Sequence, residues 1–302
     1  MAERVLIAIP TYKRPKSLAR LLDAIAQLEQ GADISVLVAD NDAQDHQGFD
    51  LCQTLAPSYR WPLRAVIEEH RGIAQVRNRL VAEALKSDAQ FLAMIDDDEW
   101  PEPGWIREFL KAQRITGADV LQGSILFAHK GDGPNLVPDI RHATGPIELP
   151  EGAGNLLIHR IVLERTASPW FDPAFALTGG EDLDFFVRLK RAGWRFGWAD
   201  KARALGDVPV LRADWGWALR RAYSNGNSDM RVLLKYRPGL VQLVTESLKT
   251  AGALLLSPFL ALILAPSPNH RRGPLVTFGR ALGKAAAMAG LRYNEYAVVH
   301  GE

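Results

Sequence analysis

Four short strand-forming segments in the first hundred residues each end in polar or acidic residues. They are Val5–Ile9, Ile34–Ala39, Arg64–Glu68 and Phe91–Ile95. Helix-forming segments separate them, which predicts βαβ units with parallel strands and right-handed crossovers. Ligands of such sheets bind outside the carboxyl ends of the strands. The polar residues at these ends are therefore the first candidates for a functional site.

The segments between and after these strands have helical spacing or strand character. The first predicted helix covers residues 18–29, with Ser17 as its cap and a row of leucines and isoleucine on one face. A second helix covers residues 73–85. Further along, we expect helices at 103–116 and 183–192, strands at 120–127 and 154–159, and a long loop rich in Gly and Pro at 129–152.

Cys52 is the only cysteine, so the sequence excludes an internal disulfide and a cysteine-built metal site. We therefore expect a reducing, cytoplasmic setting. The first residues have no secretory signal pattern. The sequence also has no P-loop motif, no GxGxxG after the first strand, no GxSxG and no HExxH. Walker-type NTPases and dinucleotide-binding enzymes are thereby disfavoured.

The charge of the chain is unevenly distributed. Residues 1–211 contain 24 Lys and Arg against 30 Asp and Glu, whereas residues 212–302 contain 12 against 5. Nucleic-acid binding needs an electropositive surface, so the acidic first part argues against a nucleic-acid partner. The basic last part suits phosphates or an anionic membrane surface.

The basic last part also contains an apolar segment. Residues 251–265 carry no charge and are interrupted by Pro258. These fifteen residues fall short of the ~20 that span a bilayer as a helix. We therefore expect an interfacial or membrane-dipping hairpin. Helices are predicted on either side of it, at residues 215–236 and 275–290.

Three adjacent carboxylates, Asp96-Asp97-Asp98, follow the fourth strand segment. They repel one another unless a cation compensates their charge. In an extended segment Asp96 and Asp98 point to one side and Asp97 to the other. Oxygen ligands of this kind suit Mg²⁺ or Mn²⁺ shared with substrate phosphates. A solvated acidic turn is the alternative, and the apolar residues 91–95 before the triplet favour the metal.

Two further acidic groups are candidates for binding or catalysis. Asp40 and Asp42 follow the second segment, where carboxylates can accept hydrogen bonds from ribose or base; an Asx turn is equally compatible. Glu181 and Asp182, with Asp184, follow two glycines at a predicted helix start. A carboxylate there can act as a general base, but the helix dipole also favours acidic residues as caps.

Arg71, Arg77 and Asn78 lie around the start of the helix that follows Gly72. The free N–H groups of a helix start, together with an arginine, can bind a diphosphate or a base. On these residues alone, ordinary surface charge is favoured. Tryptophans such as Trp170 lie near the acidic motifs and can stack on sugars, although most tryptophans belong to a protein core.

The ordered set of these segments resembles the inverting GT-A glycosyltransferases of family 2. The resemblance runs from residue 3 to about residue 230. It is carried by IAIPTYKRPKSLARLL, VADND, RGIAQVRN, MIDDDEWPEPGW and GGEDLDFFVRLKRAGWRFGW. The last of these resembles the acceptor-side motif in which the Asp acts as base. The tail resembles non-processive bacterial exopolysaccharide and lipopolysaccharide enzymes, and the QxxRW segment of processive synthases is not evident.

The resemblance implies an α/β, GT-A nucleotide-diphospho-sugar transferase fold. This is a Rossmann-like, mostly parallel sheet, here with a C-terminal helical membrane-associating extension. The chain is then expected to divide into a nucleotide-sugar-binding half (1–115), an acceptor-binding half of the same domain (116–211) and a basic and apolar helical membrane-association region (212–302).

The resemblance also implies roles for the candidate residues. Asp182 is expected to be the general base and Glu181 to position acceptor or base. Asp98 and Asp96 are expected to bind a divalent cation, Mn²⁺ or Mg²⁺. Acceptor contacts are expected from Trp170, Gly180 and Asp184. Nucleotide-sugar contacts are expected from Pro10, Thr11, Tyr12, Arg14, Asp40, Asp42, Arg71, Arg77, Asn78, Asp96 and Asp97.

The implied reaction is a metal-assisted single displacement with inversion. It moves a sugar from a nucleotide-sugar, expected to be a UDP-sugar, to a hydroxyl of a lipid-linked or oligosaccharide acceptor in cell-surface polysaccharide synthesis. The protein is expected at the cytoplasmic face of the bacterial inner membrane, peripheral or shallowly inserted, with residues 212–302 on the membrane surface.

Two other functions stay open from the residues alone. One is a metal-dependent nucleotidyl- or phosphoryltransferase, which also uses carboxylates, a metal and an α/β sheet. It does not explain the Gly-Gly-Glu-Asp segment. The other is a membrane-associated sugar-binding or scaffold protein without turnover, and the intact aspartates count against it.

Overall fold

A computed structural model describes residues 2–128, 139–207, 215–265 and 268–294 of the chain. Its first part alternates strands and helices, as the sequence predicts. The bounds are β1 Arg4–Thr11, α1 Pro15–Ala26, β2 Asp33–Asp40, α2 Gln47–Leu55, β3 Leu63–Ile67, α3 Ile73–Leu85 and β4 Phe91–Ile95. The four strands lie within two residues of their predicted positions. Helix α2 was not predicted.

Helix α1 begins before its predicted start. Pro15 lies in its first turn, where the missing N–H and the fixed φ of proline are well suited. Arg14 occupies the N-cap position and Ser17 lies inside the helix. The predicted Ser17 cap was wrong, because Pro15 is already preorganised for the first helical turn.

The next part of the chain adds shorter and reversed elements. They are β5 Glu99–Pro101, α4 Trp105–Thr116, β6 Val120–Ala128, β7 Gly145–Ile147, β8 Asn155–His159, α5 Arg160–Arg165, α6 Glu181–Arg191 and β9 Phe196–Asp207. Strand β7 lies within the predicted loop 129–152, of which 129–138 falls outside the described residues. Helix α6 begins two residues before its predicted start, which puts Glu181 and Asp182 into its first turn.

The described residues form one nine-stranded sheet, ordered β3-β2-β1-β4-β8-β6-β9-β5, with β7 paired to β9. Strand β1 is parallel to β2 and β4, and β2 is parallel to β3. Strand β8 then runs antiparallel to both β4 and β6, so antiparallel strands follow the parallel part of the sheet formed by β1 to β4. This reversal brings Asn155, at the start of β8, opposite Ile95 at the end of β4.

Alternate residues of β1 enter two cores, one on each face of the sheet. Val5 and Ile7 pack with α1 and α4 on one face. Leu6 and Ala8 pack with α3 and α6 on the other face. Because helices cover both faces, the carboxyl ends of the strands are where polar side chains gather.

Three helices follow the sheet: α7 Trp215–Lys235, α8 Leu240–Ile263 and α9 Pro268–Met288. Helices α7 and α9 approach closely at two glycines, Gly226 and Gly283, where a Cβ would overlap the backbone of the opposite helix. Asn227 on α7 donates to the Gly283 carbonyl at 3.3 Å. Helix α9 also contacts α8, where Lys284 lies 3.0 Å from Glu246.

The predicted hairpin at 251–265 was wrong. Pro258 lies inside one continuous helix, α8, which starts at Leu240 and includes Glu246 and Lys249. A proline in a long helix removes one backbone hydrogen bond and favours a kink, but it need not end the helix.

The contact between α7 and α9 can be tested at Gly283. In Gly283→Ala the new Cβ would overlap the Tyr223 carbonyl oxygen, so one helix must move. We expect the free energy of unfolding in urea to fall by about 1–3 kcal/mol, the usual cost of overpacking. Gly252→Ala on α8, where nothing lies within 4 Å, should instead gain up to about 1 kcal/mol from helix propensity. Equal stability of the two variants would contradict the close contact.

Candidate active site

The acidic triplet that follows β4 lies beside the end of β1. Asp97 points into the protein and is 6% exposed. Its carboxylate accepts a hydrogen bond from Thr11 Oγ1 at 2.8 Å and another from the Arg14 guanidinium at 3.0 Å. The pKa of Asp97 is raised to about 7, chiefly by burial; Arg14 opposes this rise, and the neighbouring Asp98 and Asp96 contribute to it. Asp97 thus ties the end of β1 to the triplet.

Asp96 and Asp98 are more accessible, with side chains that are 34% and 32% exposed. Asp98 accepts a hydrogen bond from Arg14 at 3.2 Å. A Cβ placed on Gly154 would lie 3.0 Å from Asp96 Oδ2 and 3.0 Å from Glu99 Oε1. The glycine in the segment before β8 therefore leaves room beside the Asp96 carboxylate.

Asp96 and Asp98 fit a divalent cation of the Mg²⁺ or Mn²⁺ kind. Mg²⁺ usually binds through one or two carboxylates, with substrate phosphates and waters completing its ligands. The two side chains supply partly exposed oxygens, and Gly154 keeps the space beside one of them open. Over the described residues, no group of three or more His, Cys, Asp or Glu is arranged to hold an ion. The remaining ligands would therefore have to come from a substrate and from water.

A buried ion pair joins the triplet to the first turn of α6. Arg77 on α3 is 4% exposed and Glu181 is 2% exposed. The Arg77 guanidinium lies 2.5 Å from Glu181 Oε1 and 3.2 Å from Asp96 Oδ1, so one cation contacts both acidic groups. Burial raises the pKa of Glu181, the neighbouring Asp182 raises it further, and Arg77 lowers it.

Asp182 lies next to this ion pair and is less buried. Its Oδ1 accepts a hydrogen bond from the Leu183 amide at 2.7 Å. A Cβ on Gly152 would lie 3.7 Å from its Oδ2, so the loop that leads into β8 passes close to this carboxylate. Gly180 precedes the helix with a left-handed φ of 92°, a conformation that favours glycine. Asp182 is therefore a partly exposed acid at a fixed helix start.

Asp40 and Asp42, at the end of β2, have different surroundings. Asp40 is fully buried, and its two oxygens accept hydrogen bonds at 2.9 Å from the amides of Asp42 and Phe49. Its carboxylate therefore holds the start of α2, and its contact with a nucleoside stays a prediction. Burial raises the pKa of Asp40. Asp42 is also buried, but within the described residues its Oδ2 has no hydrogen-bond partner.

Asn41 orders the loop that leads into α3. Its Nδ2 donates to two carbonyls of the loop 68–72, and its Oδ1 accepts from the Gly72 amide at 2.7 Å. The exposed Arg71 of this loop has its guanidinium 5.1 Å from the centre of the Tyr12 ring. The structure therefore brings two predicted donor-contact residues, Arg71 and Tyr12, together beside β1.

Four of the predicted site residues are engaged in contacts inside the protein. Asn78 donates to the Phe171 carbonyl at 2.7 Å and accepts from the Phe171 amide at 2.9 Å. Trp170 donates to a carbonyl of α5 at 2.9 Å, and Pro10 is buried within β1. Asp184 is 0% exposed. The contacts expected of Asn78 with nucleotide and of Asp184 with acceptor stay predictions, while the structure shows both side chains bonded within the fold.

Three residues near the site were not predicted. Glu99 is 8% exposed and approaches Gly154 beside Asp96; its place at the end of the acidic run was the available signal. Lys13 Nζ lies 3.8 Å from Asp42, and its φ of 54° is uncommon for a residue other than glycine. Nothing in the sequence marks Asn41 as a functional residue. Its role is seen only from its hydrogen bonds to the loop before α3.

Comparisons with known proteins identify the family to which this chain belongs. The model of Glycosyl transferase family 2 matches residues 6–159. The succinoglycan biosynthesis protein ExoM of Rhizobium meliloti (strain 1021) is 30% identical over 246 residues, which cover 78% of this chain and 77% of ExoM. This chain belongs to glycosyltransferase family 2. The family predicted from the ordered motifs is thus confirmed, and the chain is a glycosyltransferase.

Solved structures of S. aureus TarS share the fold of this family 2 chain. TarS 1–349 in complex with UDP has a TM-score of 0.54 and 14% identity, over 99% of this chain and 95% of TarS 1–349. Its complex with UDP-GlcNAc has a TM-score of 0.51 over the same shares. In a longer TarS structure the match covers 94% of this chain and 55% of that chain, at 13% identity and a TM-score of 0.54. At these identities the similarity confirms the GT-A fold.

The buried Arg77 bridge can be tested by unfolding. Arg77→Met would leave Glu181 buried without its cation. We expect the free energy of unfolding in urea to fall by about 3–5 kcal/mol, as for other broken buried pairs. Arg79→Met is the matched control on the same helix, since its side chain is 41% exposed and its loss should cost less than about 1 kcal/mol. Similar losses in both variants would argue against the bridge.

Proposed function

We propose that this family 2 glycosyltransferase transfers a sugar from a UDP-sugar to a hydroxyl of a lipid-linked or oligosaccharide acceptor, in cell-surface polysaccharide synthesis. The observation that carries the proposal is Arg77, whose guanidinium contacts both Asp96 and Glu181. Through it, the acidic triplet and the start of α6 belong to one site. The biosynthetic role of ExoM and the UDP and UDP-GlcNAc complexes of TarS support the donor and the pathway class.

The donor half of the proposed site is the edge formed by the ends of β1, β2 and β4. Asp42 keeps a buried carboxylate oxygen available for a nucleoside N–H or hydroxyl. Arg71 and Tyr12 lie together at the end of β1 and offer a cation and an aromatic face. Asp97 and Arg14 hold the triplet in position from the inside.

Asp96 and Asp98 would hold a divalent cation, Mn²⁺ or Mg²⁺, which when bound supplies positive charge beside the phosphates of the leaving nucleotide. Arg14 and Arg77, which touch these same carboxylates, keep them oriented. They also offset the repulsion within the triplet. The leaving nucleoside diphosphate gains negative charge. The positive charges of the cation, Arg14 and Arg77 would offset it together with the charges of the acidic triplet.

Asp182 is the proposed general base. It is partly exposed at the start of α6, where it can take the proton from the acceptor hydroxyl as that oxygen attacks the sugar. Glu181 would stay in its ion pair with Arg77 and fix the start of the helix. A single displacement inverts the anomeric centre, so an α-linked donor gives a β-linked product.

The reaction can be tested by incubating the full chain with a panel of UDP-sugars, with water as the acceptor that takes the sugar in place of the glycan hydroxyl. We expect release of UDP that depends on Mn²⁺ or Mg²⁺ and stops when EDTA is added. Release of pyrophosphate from a nucleoside triphosphate and a sugar phosphate, without UDP release, would indicate a nucleotidyltransferase instead. A chain that binds UDP-sugars but turns over none would contradict the proposed transfer.

Asp182→Asn tests the base. The variant keeps the shape of the side chain but cannot accept a proton, so we expect UDP release to fall by about 10²–10⁴-fold. Binding of UDP, measured by calorimetry, should stay close to that of the wild type. Glu148→Gln, at a carboxylate that is 82% exposed, is the control and should keep full turnover. Equal weakening of UDP binding and turnover in Asp182→Asn would contradict its assignment as base.

We further propose that α8 lies on the cytoplasmic face of the inner membrane, peripherally or shallowly inserted. Among the described residues it is the one helix long and apolar enough to cross a membrane, and 11% of its most apolar window is buried. Its outward face is apolar: Leu240, Val241, Leu248, Leu255, Leu256, Phe259, Leu262 and Ile263 are all more than half exposed. The net positive charge of residues 212–302 suits anionic lipids.

Membrane binding can be tested with the double variant Leu255→Glu, Phe259→Glu. Removing two large apolar side chains from the bilayer surface should weaken sedimentation with phosphatidylglycerol-containing vesicles by about tenfold or more. The control is Ile115→Glu on α4, an apolar side chain that is 67% exposed and lies outside the three C-terminal helices. Unchanged vesicle binding by the double variant would refute the role of α8.

A further inference from the structure

Residues at the end of helix α7 form hydrogen bonds with α6, the helix that carries the proposed base. Asp184 on α6 is 0% exposed. Its Oδ1 accepts hydrogen bonds from Lys235 Nζ at 2.5 Å and from the Tyr236 hydroxyl at 2.7 Å. Lys235 also reaches Asp172, at 2.7 Å. Residues at the end of α7 therefore neutralise a carboxylate that has no contact with solvent.

Helix α7 also holds the loop that leads into α6. The Arg231 guanidinium donates to Thr178 Oγ1 at 2.5 Å and to the Ala174 carbonyl at 3.0 Å. Ser228 Oγ donates to the Gly179 carbonyl at 3.0 Å. The loop before α6 and the first turn of α6 are thus bonded to one face of the same helix.

These contacts act at two neighbouring points on α6. Glu181 is held by Arg77 of α3, and Asp184, three residues later, is held by Lys235 of α7 and by Tyr236. Residues three apart are neighbours on a helix surface. Two anchors one turn apart fix both the place and the rotation of the helix about its axis, and with them the direction in which Asp182 points.

We infer that Lys235 and Tyr236 are positioning residues for sugar transfer, which act through Asp184 to orient Asp182. The inference rests on the proposed role of Asp182 as base. Under this inference the C-terminal region supports sugar transfer directly, and this role is separate from membrane attachment by α8. A general base works only within hydrogen-bond reach of the proton it takes, so a small rotation of α6 affects turnover more than donor binding.

The test uses the full chain with three substitutions and one control. Lys235→Met removes the lysine and leaves Asp184 with Arg188, whose Nε lies 3.4 Å from its Oδ2. Tyr236→Phe removes one hydroxyl, and Lys235→Arg restores a second cation of different shape. Lys86→Met is the matched control, since Lys86 lies 2.7 Å from a buried carboxylate, Glu83, at the far end of α3. Each variant is assayed with the UDP-sugar that gives the fastest UDP release.

We expect kcat to fall about tenfold in Lys235→Met and less in Tyr236→Phe, with the donor KM changed by less than about twofold. Lys235→Arg should recover most of the loss, and Lys86→Met should match the wild type. Equal kcat in Lys235→Met and the wild type would overturn the inference. So would a loss that appears only as a raised donor KM.

A second readout does not depend on turnover. Hydrogen exchange of the amides in residues 178–187 should speed up in Lys235→Met and Tyr236→Phe, while residues 73–85 exchange as in the wild type. Unchanged exchange at 178–187 would overturn the anchoring by α7 even if turnover fell. A wild-type protein that releases no UDP would instead contradict the proposed function. The exchange data would still show whether contacts with α7 hold α6 in place.

Discussion

The whole site depends on one buried guanidinium. Arg77 is surrounded by protein and contacts carboxylates from two distant parts of the chain, one after β4 and one at the start of α6. Without a cation, these acids would repel each other in surroundings that disfavour charge. With it, the acidic triplet and the first turn of α6 are held at a fixed separation. The mixed sheet serves this arrangement, because the reversed β8 brings Gly154 beside Asp96.

Much of the fold could be predicted from the sequence because its signals are local. The strands β1 to β4 are short apolar segments bounded by polar residues, and α3 has the same bounds in prediction and structure. The direction of β8 could not be predicted, since pairing partners are chosen by the whole sheet and not by composition. The continuity of α8 through Pro258 was missed because a proline weakens a helix without dictating where it stops.

The site was predictable as a set of residues, but less so as a set of contacts. The acidic triplet, Arg77 and the Glu181-Asp182 pair could be named from strand ends and motif order. The sequence could not predict which of the carboxylates form hydrogen bonds to other groups of the protein. Arg77 and Glu181 are 104 residues apart, and the partners of Asp184 lie on α7. Side-chain direction across such separations depends on packing that no local pattern records.

The close packing of α7 between α6 and α9 has a practical consequence for handling this enzyme. Cutting the chain after the sheet to obtain a water-soluble fragment would remove α7 and leave Asp184 buried without its lysine. A later cut, after α7, would uncover the surface where Gly226 packs against α9. Replacing the exposed leucines of α8 with polar residues removes the exposed apolar surface. It keeps the contacts of α7 with α6 and with α9. Solubilisation by surface redesign is therefore the route that leaves α6 in place.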